Sequence, residues 1–242
     1  MAQNIYDEDE FFATYAQLPR SIDGPDAAAE WPLLRAMLPP LDGARVVDLG
    51  CGYGWFCRFA AQGGAAAVLG LDVSEKMLAR AAADTTDDRI TYRREDLDTF
   101  VLPEEAFDLA YSSLTLHYLA DVASFFGVVR QALVEGGHLV CSFEHPLFTS
   151  PTSAAFIEHD GRTIWPLDRY SDEGPRVTNW LADGVVKQHR TIATYLTALI
   201  GAGFVLTDIV DWAPTAADLD AHPDWAAEIH RPPFLLMAAR AV

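Results

Sequence analysis

The sequence predicts an α/β fold on a largely parallel sheet, and three observations predict it. Short β-rich runs alternate with amphipathic helical stretches along most of the 242 residues, as successive strand-helix units require. Glycines punctuate the ends of those runs, at Gly50, Gly52 and Gly54, at Gly63 and Gly64, and at Gly201 and Gly203. The chain is also half hydrophobic, 11% aromatic and only 21% charged, which suits a packed core and excludes a disordered protein.

Each element follows from its local pattern. Residues 45–49 (RVVDL) form a first strand, ended by glycine, and residues 53–62 a helix stopped by Gly63 and Gly64. Residues 66–71 form a second strand, after which Ser74 caps a helix reaching to about residue 83. Strands follow at 89–93, 107–111 and 138–142. Between the last two, Val122, Phe125, Phe126, Val129 and Leu133 share one helical stripe, closed by Gly136 and Gly137. Ile192, Tyr195, Leu196, Leu199 and Ile200 repeat the stripe up to Gly201, and strands at 204–210 and 234–239 end the pattern. Two segments stand outside it. Residues 1–40 hold an amphipathic helix at 11–18 and a proline-punctuated one at 31–38. Residues 146–187 are rich in Pro, Ser, Thr and Gly, and carry Phe148, Phe156, Trp165, Tyr170 and Trp180. Within them Asp183-Gly184 signals a hairpin turn, and a loop of this length in a compact domain points to an ordered functional insertion.

Charge and cysteine usage narrow the partners. With 17 Lys and Arg against 35 Asp and Glu the net charge is −18, and no basic patch is visible, so a nucleic-acid backbone is disfavoured. No apolar run is long enough to span a bilayer, and the acidic first residues do not read as a signal peptide. Cys51, Cys57 and Cys141 are odd in number and lack CxxC spacing, which argues against disulfides or a zinc site and for a cytoplasmic setting. The scarcity of lysine beside abundant alanine suggests a GC-rich bacterial source or a salt-adapted one.

The chemistry centres on Asp48-Leu-Gly50-Cys-Gly52-Tyr-Gly54, which follows a strand and opens a helix. Glycines there let a ligand approach the backbone, and the helix start offers free N–H groups. The third glycine comes one residue too early for a dinucleotide-binding turn, and Asp48 would repel a pyrophosphate while suiting an ammonium group. Asp72 ends the second strand about twenty residues beyond Gly50, where a carboxylate can hold the two hydroxyls of a ribose. A nucleoside with positive charge and no phosphate describes S-adenosylmethionine.

At this point the chain resembles the class I S-adenosylmethionine-dependent methyltransferases. VVDLGCGYGWFCRFA is similar to their first motif, LGLDVSEKML to the acidic ribose segment and REDLDTF to the adenine-contacting stretch. FDLAYSSLTLHYLADV resembles the segment after the fourth strand, and LVEGGHLVCS the turn into the fifth. The resemblance implies a doubly wound Rossmann-like fold, with a mostly parallel seven-stranded sheet whose last strand is antiparallel. It implies one domain, 1–242, with an N-terminal helical lid (1–40), a cofactor half (41–145), an insertion or substrate cap (146–187) and a C-terminal helix with the last strands (188–242).

It also implies roles by residue. Asp48 would orient the methionine end of the cofactor, with the backbone of Gly50, Cys51 and Gly52 close to it. Asp72 would bind the ribose, Val73 and Met77 would pack on the adenine, and Asp96 with the Leu97 backbone would bind its amino group. Ser112 would flank the amino-acid portion, and Tyr6 and Tyr15 of the lid would contact the cofactor. Each has a plainer alternative: Asp48 and the glycines in a tight turn, Asp72 as an acid at a helix start, Asp96 in a solvated acidic loop, and Cys51 as a small buried residue.

Methyl transfer needs a base only where the acceptor must shed a proton early. His117 and His145, following the fourth and fifth strands, are the candidate catalytic residues, with packing as the competing role for His117. No metal is expected. The function read from this is in-line transfer of a methyl group to a small-molecule acceptor, by O- or N-methylation of an apolar or aromatic metabolite. A non-catalytic binder of S-adenosylmethionine or S-adenosylhomocysteine, or a nicotinamide-dependent oxidoreductase, are the alternatives. Oligomeric state is not legible.

Overall fold

The computed structural model describes residues 3–242. Short helical segments open the chain: a 3-10 turn at Ile5–Asp7, α1 (Asp9–Tyr15), α2 (Pro19–Ile22), a 3-10 turn at Gly24–Ala27 and α3 (Trp31–Ala36). The alternating part follows as β1 (Arg45–Leu49), α4 (Trp55–Gln62), β2 (Ala67–Asp72), α5 (Glu75–Ala83), β3 (Ile90–Arg94) and β4 (Phe107–Ser113). A 3-10 turn at Leu116–Tyr118 leads to α6 (Val122–Ala132) and β5 (Leu133–Glu144). Next come α7 (Pro146–Thr149), the ribbon of β6 (Ile157–His159) and β7 (Arg162–Ile164), and the hairpin of β8 (Gly174–Thr178) and β9 (Val185–His189). The chain ends with α8 (Ile192–Gly201), β10 (Phe204–Trp212), α9 (Ala216–Ala221), a 3-10 segment at Pro223–His230 and β11 (Phe234–Ala241).

Seven strands form one sheet in the order β10-β11-β5-β4-β1-β2-β3. The pairs among β1 to β5 are parallel, and β11 runs antiparallel to both β5 and β10. This is the doubly wound, mostly parallel sheet that the sequence predicts. The strand order reverses beside β1 and β4, so a crevice opens beyond the carboxyl ends of those strands.

Alternation along the strands sends neighbouring side chains into two cores. Val47, Leu49, Ala110 and Cys141 pack with Phe125, Phe126 and Val129 of α6 and with Tyr195 and Leu199 of α8. Val46, Leu109, Tyr111 and Val140 pack on the opposite face with Trp31 of α3 and Phe56 of α4. Each large side chain sealed this way contributes roughly 1.5–3 kcal/mol. Ser74 caps α5 as expected, its Oγ accepting the N–H of Met77 at 3.1 Å.

Two local expectations give way to packing. The α6 helix stops at Ala132, and Gly136 and Gly137 lie inside β5 instead of closing the helix. There the β4–β5 register jumps from Phe107↔Leu133 to Leu109↔His138, and Gly136 takes a φ of 74° that a side chain would resist. The expected hairpin exists, but pairing stops at Thr178↔Val185, so residues 179–184 form its tip in place of a two-residue turn. Trp180 and Leu181 leave the ladder because they pack with Ile5, Tyr6, Phe11 and Tyr15.

The N-terminal segment is thereby fastened at two points. The Gln3 side chain accepts the Val186 N–H at 2.9 Å and donates to the Gly184 carbonyl at 3.0 Å. The Asp7 carboxylate accepts the Ser74 hydroxyl at 2.6 Å and the Lys76 N–H at 3.1 Å, at the start of α5. No helix among the described residues is long and apolar enough to cross a membrane.

Candidate active site

The glycine turn is tied to the end of β2 by its own backbone. The N–H groups of Gly50 and Cys51 both reach the Leu71 carbonyl, at 2.8 and 2.9 Å. Gly50 sits at φ 85°, where an added Cβ would lie 2.1 Å from Thr115 Oγ1, so the position demands glycine twice over. Gly52, at φ 51°, has nothing within 4 Å of where its Cβ would stand. That bare backbone borders a cavity of about 350 Å³ lined by Gly50, Gly52, Asp72, Val73, Met77, Asp96 and Leu97, and also by Tyr6 and Tyr15. The structure thus brings most of the expected cofactor residues to one wall.

Asp72 is held ready for a ligand. Its Oδ2 accepts the Gly52 N–H and its Oδ1 the Ser74 N–H, each at 2.9 Å. A carboxylate has about four lone-pair sites, so capacity remains on both oxygens for two vicinal hydroxyls. Burial raises its pKa, while the N–H groups of Ser74, Gly52 and Val73 oppose that rise. Asp96 is fixed by an Asx turn, with Oδ1 accepting the Asp98 N–H at 3.0 Å.

Asp48 and Cys51 lie one layer deeper. They line an adjoining recess of about 120 Å³ with Arg20, Glu30, Tyr53 and Tyr111, which Gly50, Gly52 and Tyr15 share with the main cavity. Asp48 is buried, accepts the Cys57 thiol at 3.3 Å, and has its pKa pushed up to about 7 by burial. Arg20 pairs with Glu30 at 2.8 Å across this recess. A main chamber bearing a carboxylate at the end of β2, a bare glycine backbone and a side recess holding the Asp48 carboxyl beside the Arg20–Glu30 pair fit S-adenosylmethionine, a nucleoside with a zwitterionic tail.

Ser112 does not flank this site. The pleat points it to the other face of the sheet, where it is fully buried and donates to the Leu49 carbonyl at 2.7 Å. Its neighbour Ser113 lines both chambers instead. His145 is a second correction. Its Nδ1 accepts the Leu147 N–H at 3.0 Å, capping α7, and its Nε2 meets Asp211 Oδ1 at 2.8 Å. With both ring nitrogens engaged, and lying off the cavity wall, it holds structure and is not placed to take a proton.

His117 does line the cavity. Its Nδ1 accepts the Glu144 N–H at 3.2 Å, which leaves the ring proton on Nε2. Burial and then the nearby Lys187 charge hold its pKa well below the usual imidazole range. With the Nδ1 lone pair taken by the Glu144 N–H and Nε2 lying 4.0 Å from Glu144 Oε1, the ring has no free lone pair with which to act as a base.

The charged groups at this end are ones that motif reading passes over. Glu144, the last residue of β5, lines the cavity, with Oε1 bonded to the buried ammonium of Lys187 from β9. Its Oε2 has no hydrogen-bond partner among the described residues. Burial raises its pKa, and the Lys187 charge works against that. Phe148, Trp180, Glu228, Arg231 and Phe234 complete this end. A lone Lys in a β-rich run, at Lys187, was the one available signal. The described residues hold no group of His, Cys, Asp or Glu able to bind a metal ion.

Comparison with known proteins agrees with this geometry. A model of the methyltransferase domain matches residues 47–141, from β1 through β5. A crystal structure of an S-adenosylmethionine-dependent methyltransferase from Mesorhizobium loti is 57% identical, with a TM-score of 0.86 over 90% of this chain and 100% of that one. An uncharacterized protein of Haemophilus influenzae is 32% identical over 99% of this chain and 97% of its own. The ubiquinone biosynthesis O-methyltransferase of Sinorhizobium medicae is 35% identical over only 40% of each chain. Motif order, sheet topology, the glycine-and-carboxylate wall and near full-length similarity to a solved relative converge: the chain belongs to the class I S-adenosylmethionine-dependent methyltransferases, and S-adenosyl-L-methionine is its cofactor.

Proposed function

We propose that this methyltransferase acts on a small-molecule acceptor that offers an oxygen or nitrogen nucleophile on an apolar or aromatic frame. One observation carries the reading. The cavity is continuous from the carboxylate of Asp72 to an aromatic end formed by Tyr118, Phe148, Trp180 and Phe234, where two carboxylates line it: Glu228, paired with Arg231, and Glu144, paired with Lys187 through Oε1 but with Oε2 left without a hydrogen bond among the described residues. S-adenosylmethionine, when bound, supplies a methyl group on a positively charged sulfur, already activated for displacement.

The chain's own work is then to position and to exclude water. Asp72 would hold the ribose, Val73 and Met77 the adenine face, and Asp96 with the Leu97 backbone its edge. Asp48 and Arg20 would meet the ammonium and carboxylate of the tail, with Tyr15 closing over it. Glu144 would take the proton of an acceptor hydroxyl or amine on Oε2, while Lys187 fixes the carboxylate through Oε1. His117 would donate through Nε2 to the acceptor. The N-terminal segment and the hairpin tip would form the lid, because Tyr6, Tyr15 and Trp180 pack on one another and on the cavity at once. The three buried, unpaired cysteines support a reducing, cytoplasmic setting.

The test is calorimetric titration of S-adenosylhomocysteine into wild-type protein and Asp72→Ala, followed by transfer of a labelled methyl group to a panel of phenols and aromatic amines. Binding that needs Asp72, with label on at least one panel member, is expected. Binding without transfer to any acceptor would favour a non-catalytic binder.

A further inference from the structure

Arg231 is the least satisfied charged group on the cavity wall. The residue is only 3% exposed and lies just past the 3-10 segment at Pro223–His230, so the chain has fixed a guanidinium inside the protein. Its Cζ stands 4.3 Å from the ring centre of Phe148 and 4.4 Å from that of Trp165, with the two rings parallel to within 9°. Those aromatic faces hold the guanidinium plane but accept none of its N–H hydrogens in line. Its Nη2 bonds to the Glu228 carboxylate, whereas Nε and Nη1 have no partner among the described residues. A buried guanidinium is normally bonded through most of its five N–H groups, since each one left unpaired in a low-dielectric wall is costly. The unpaired donors of Arg231 therefore call for an acceptor that the chain itself does not provide.

Charge narrows what that acceptor is. Two arginines line the cavity among the described residues, and the other, Arg20, is paired with Glu30. Lys187 stands behind the wall on Glu144. Glu144 and Glu228 are balanced by Lys187 and Arg231, and Asp72 and Asp96 add only negative charge, so the second charge of a dianion such as a phosphate would find no cation to meet it. A monoanion with planar geometry suits a single guanidinium. The surrounding Phe148, Trp180 and Phe234 provide faces for a flat ring attached to it.

Resting on the methyl-transfer reading above, we propose that Arg231 anchors a carboxylate of the acceptor, so that the substrate class is an aromatic carboxylic acid. The carboxylate sits against Nε and Nη1, and the ring lies among the aromatic side chains. Arg231 is then the residue that selects acids over their neutral counterparts, and Glu228 keeps its guanidinium turned.

The experiment uses the full chain saturated with S-adenosylhomocysteine, into which benzoate, the three hydroxybenzoates and cinnamate are titrated by calorimetry, each against its carboxamide. At least one carboxylate is expected to bind tenfold or more tighter than its amide, and Arg231→Gln is expected to erase that preference. Because the variant removes a buried charge and could fold poorly, the acid-to-amide ratio on wild-type protein decides the matter by itself. Equal binding of every acid and amide, or no binding of any, overturns the anchor while leaving the methyltransferase reading intact. Failure of S-adenosylhomocysteine itself to bind would remove that reading first.

Discussion

At the carboxyl ends of β1 and β2 the cavity is walled by residues close in sequence, Gly50 to Met77, and largely by their backbone. At its other end the wall is assembled from Glu144, Phe148, Trp180 and Arg231, which meet only because β5, the hairpin and the last 3-10 segment converge. The first wall solves a problem common to all substrates of one cofactor, by strand-turn-helix geometry that a short motif can encode. The second would serve the acceptor proposed above, with side chains carried on elements far apart in the chain. The contrast extends to electrostatics. The cofactor wall is acidic through Asp72, Asp96 and the deeper Asp48, as a cationic ligand requires. The acceptor wall balances Glu144 and Glu228 against Lys187 and Arg231.

Mutations that separate the two walls test this division. The largest effect is expected for Glu144→Gln, with kcat falling about 10²–10⁴-fold for an accepted substrate, the usual span for a lost general base. Its affinity for S-adenosylhomocysteine should stay within a factor of two; loss of cofactor binding would merge the walls. Asp72→Ala acts on the other side, weakening cofactor affinity by about 1–3 kcal/mol in a calorimetric titration. Unchanged binding in that variant would take the ribose away from Asp72.

A third test uses pH. Burial pushes the pKa of the Asp48 carboxyl up to about 7. The ammonium of the cofactor tail favours the ionised form, so below pH 7 a proton must leave on binding. Affinity for S-adenosylhomocysteine is therefore expected to rise with pH up to about 7 and then level off, by as much as about tenfold per unit on the acid side. Asp48→Asn should flatten the curve, and a slope that survives in Asp48→Asn would assign it to another group.

The smallest effect belongs to His145→Ala. Losing a helix cap costs about 1 kcal/mol, or roughly 2–4 °C in Tm for a chain of this size. Thermal unfolding should show that loss with turnover and cofactor affinity retained. A collapse of turnover at unchanged Tm would return His145 to the chemistry.

The two histidines show where reading by position stops working. Both follow strand ends at the crevice, which makes them candidate bases, with packing the competing role for His117. Their hydrogen bonds decide otherwise: Pro146 starts α7 at once, so His145 becomes its cap, and the Glu144 N–H fixes the His117 tautomer. Ser112 failed by a single step of the pleat, since a strand sends adjacent residues to opposite faces and Ser113 is the one that borders both chambers. Gly136 and Gly137 carry a helix-stop signature, yet the chain passes from α6 into β5 at the buried Leu133 and both glycines lie inside that strand.

What the sequence determined by itself is the alternation of strands and helices, the mostly parallel sheet they form, and the glycine turn and carboxylates at its strand ends. Period-two and helical periodicities, glycines forced by φ, and carboxylates at strand ends are all short-range features, and each constrains the backbone wherever it occurs. What only the tertiary structure decided is the opposite end of the cavity, which the proposed reading gives to the acceptor. The Glu144–Lys187 pair, the aromatic cage of Arg231 and the packing of Trp180 on the N-terminal segment join residues far apart in the chain. Such contacts exist because burial must pair charges and seal apolar faces against whatever the fold brings near, and no local pattern records that outcome.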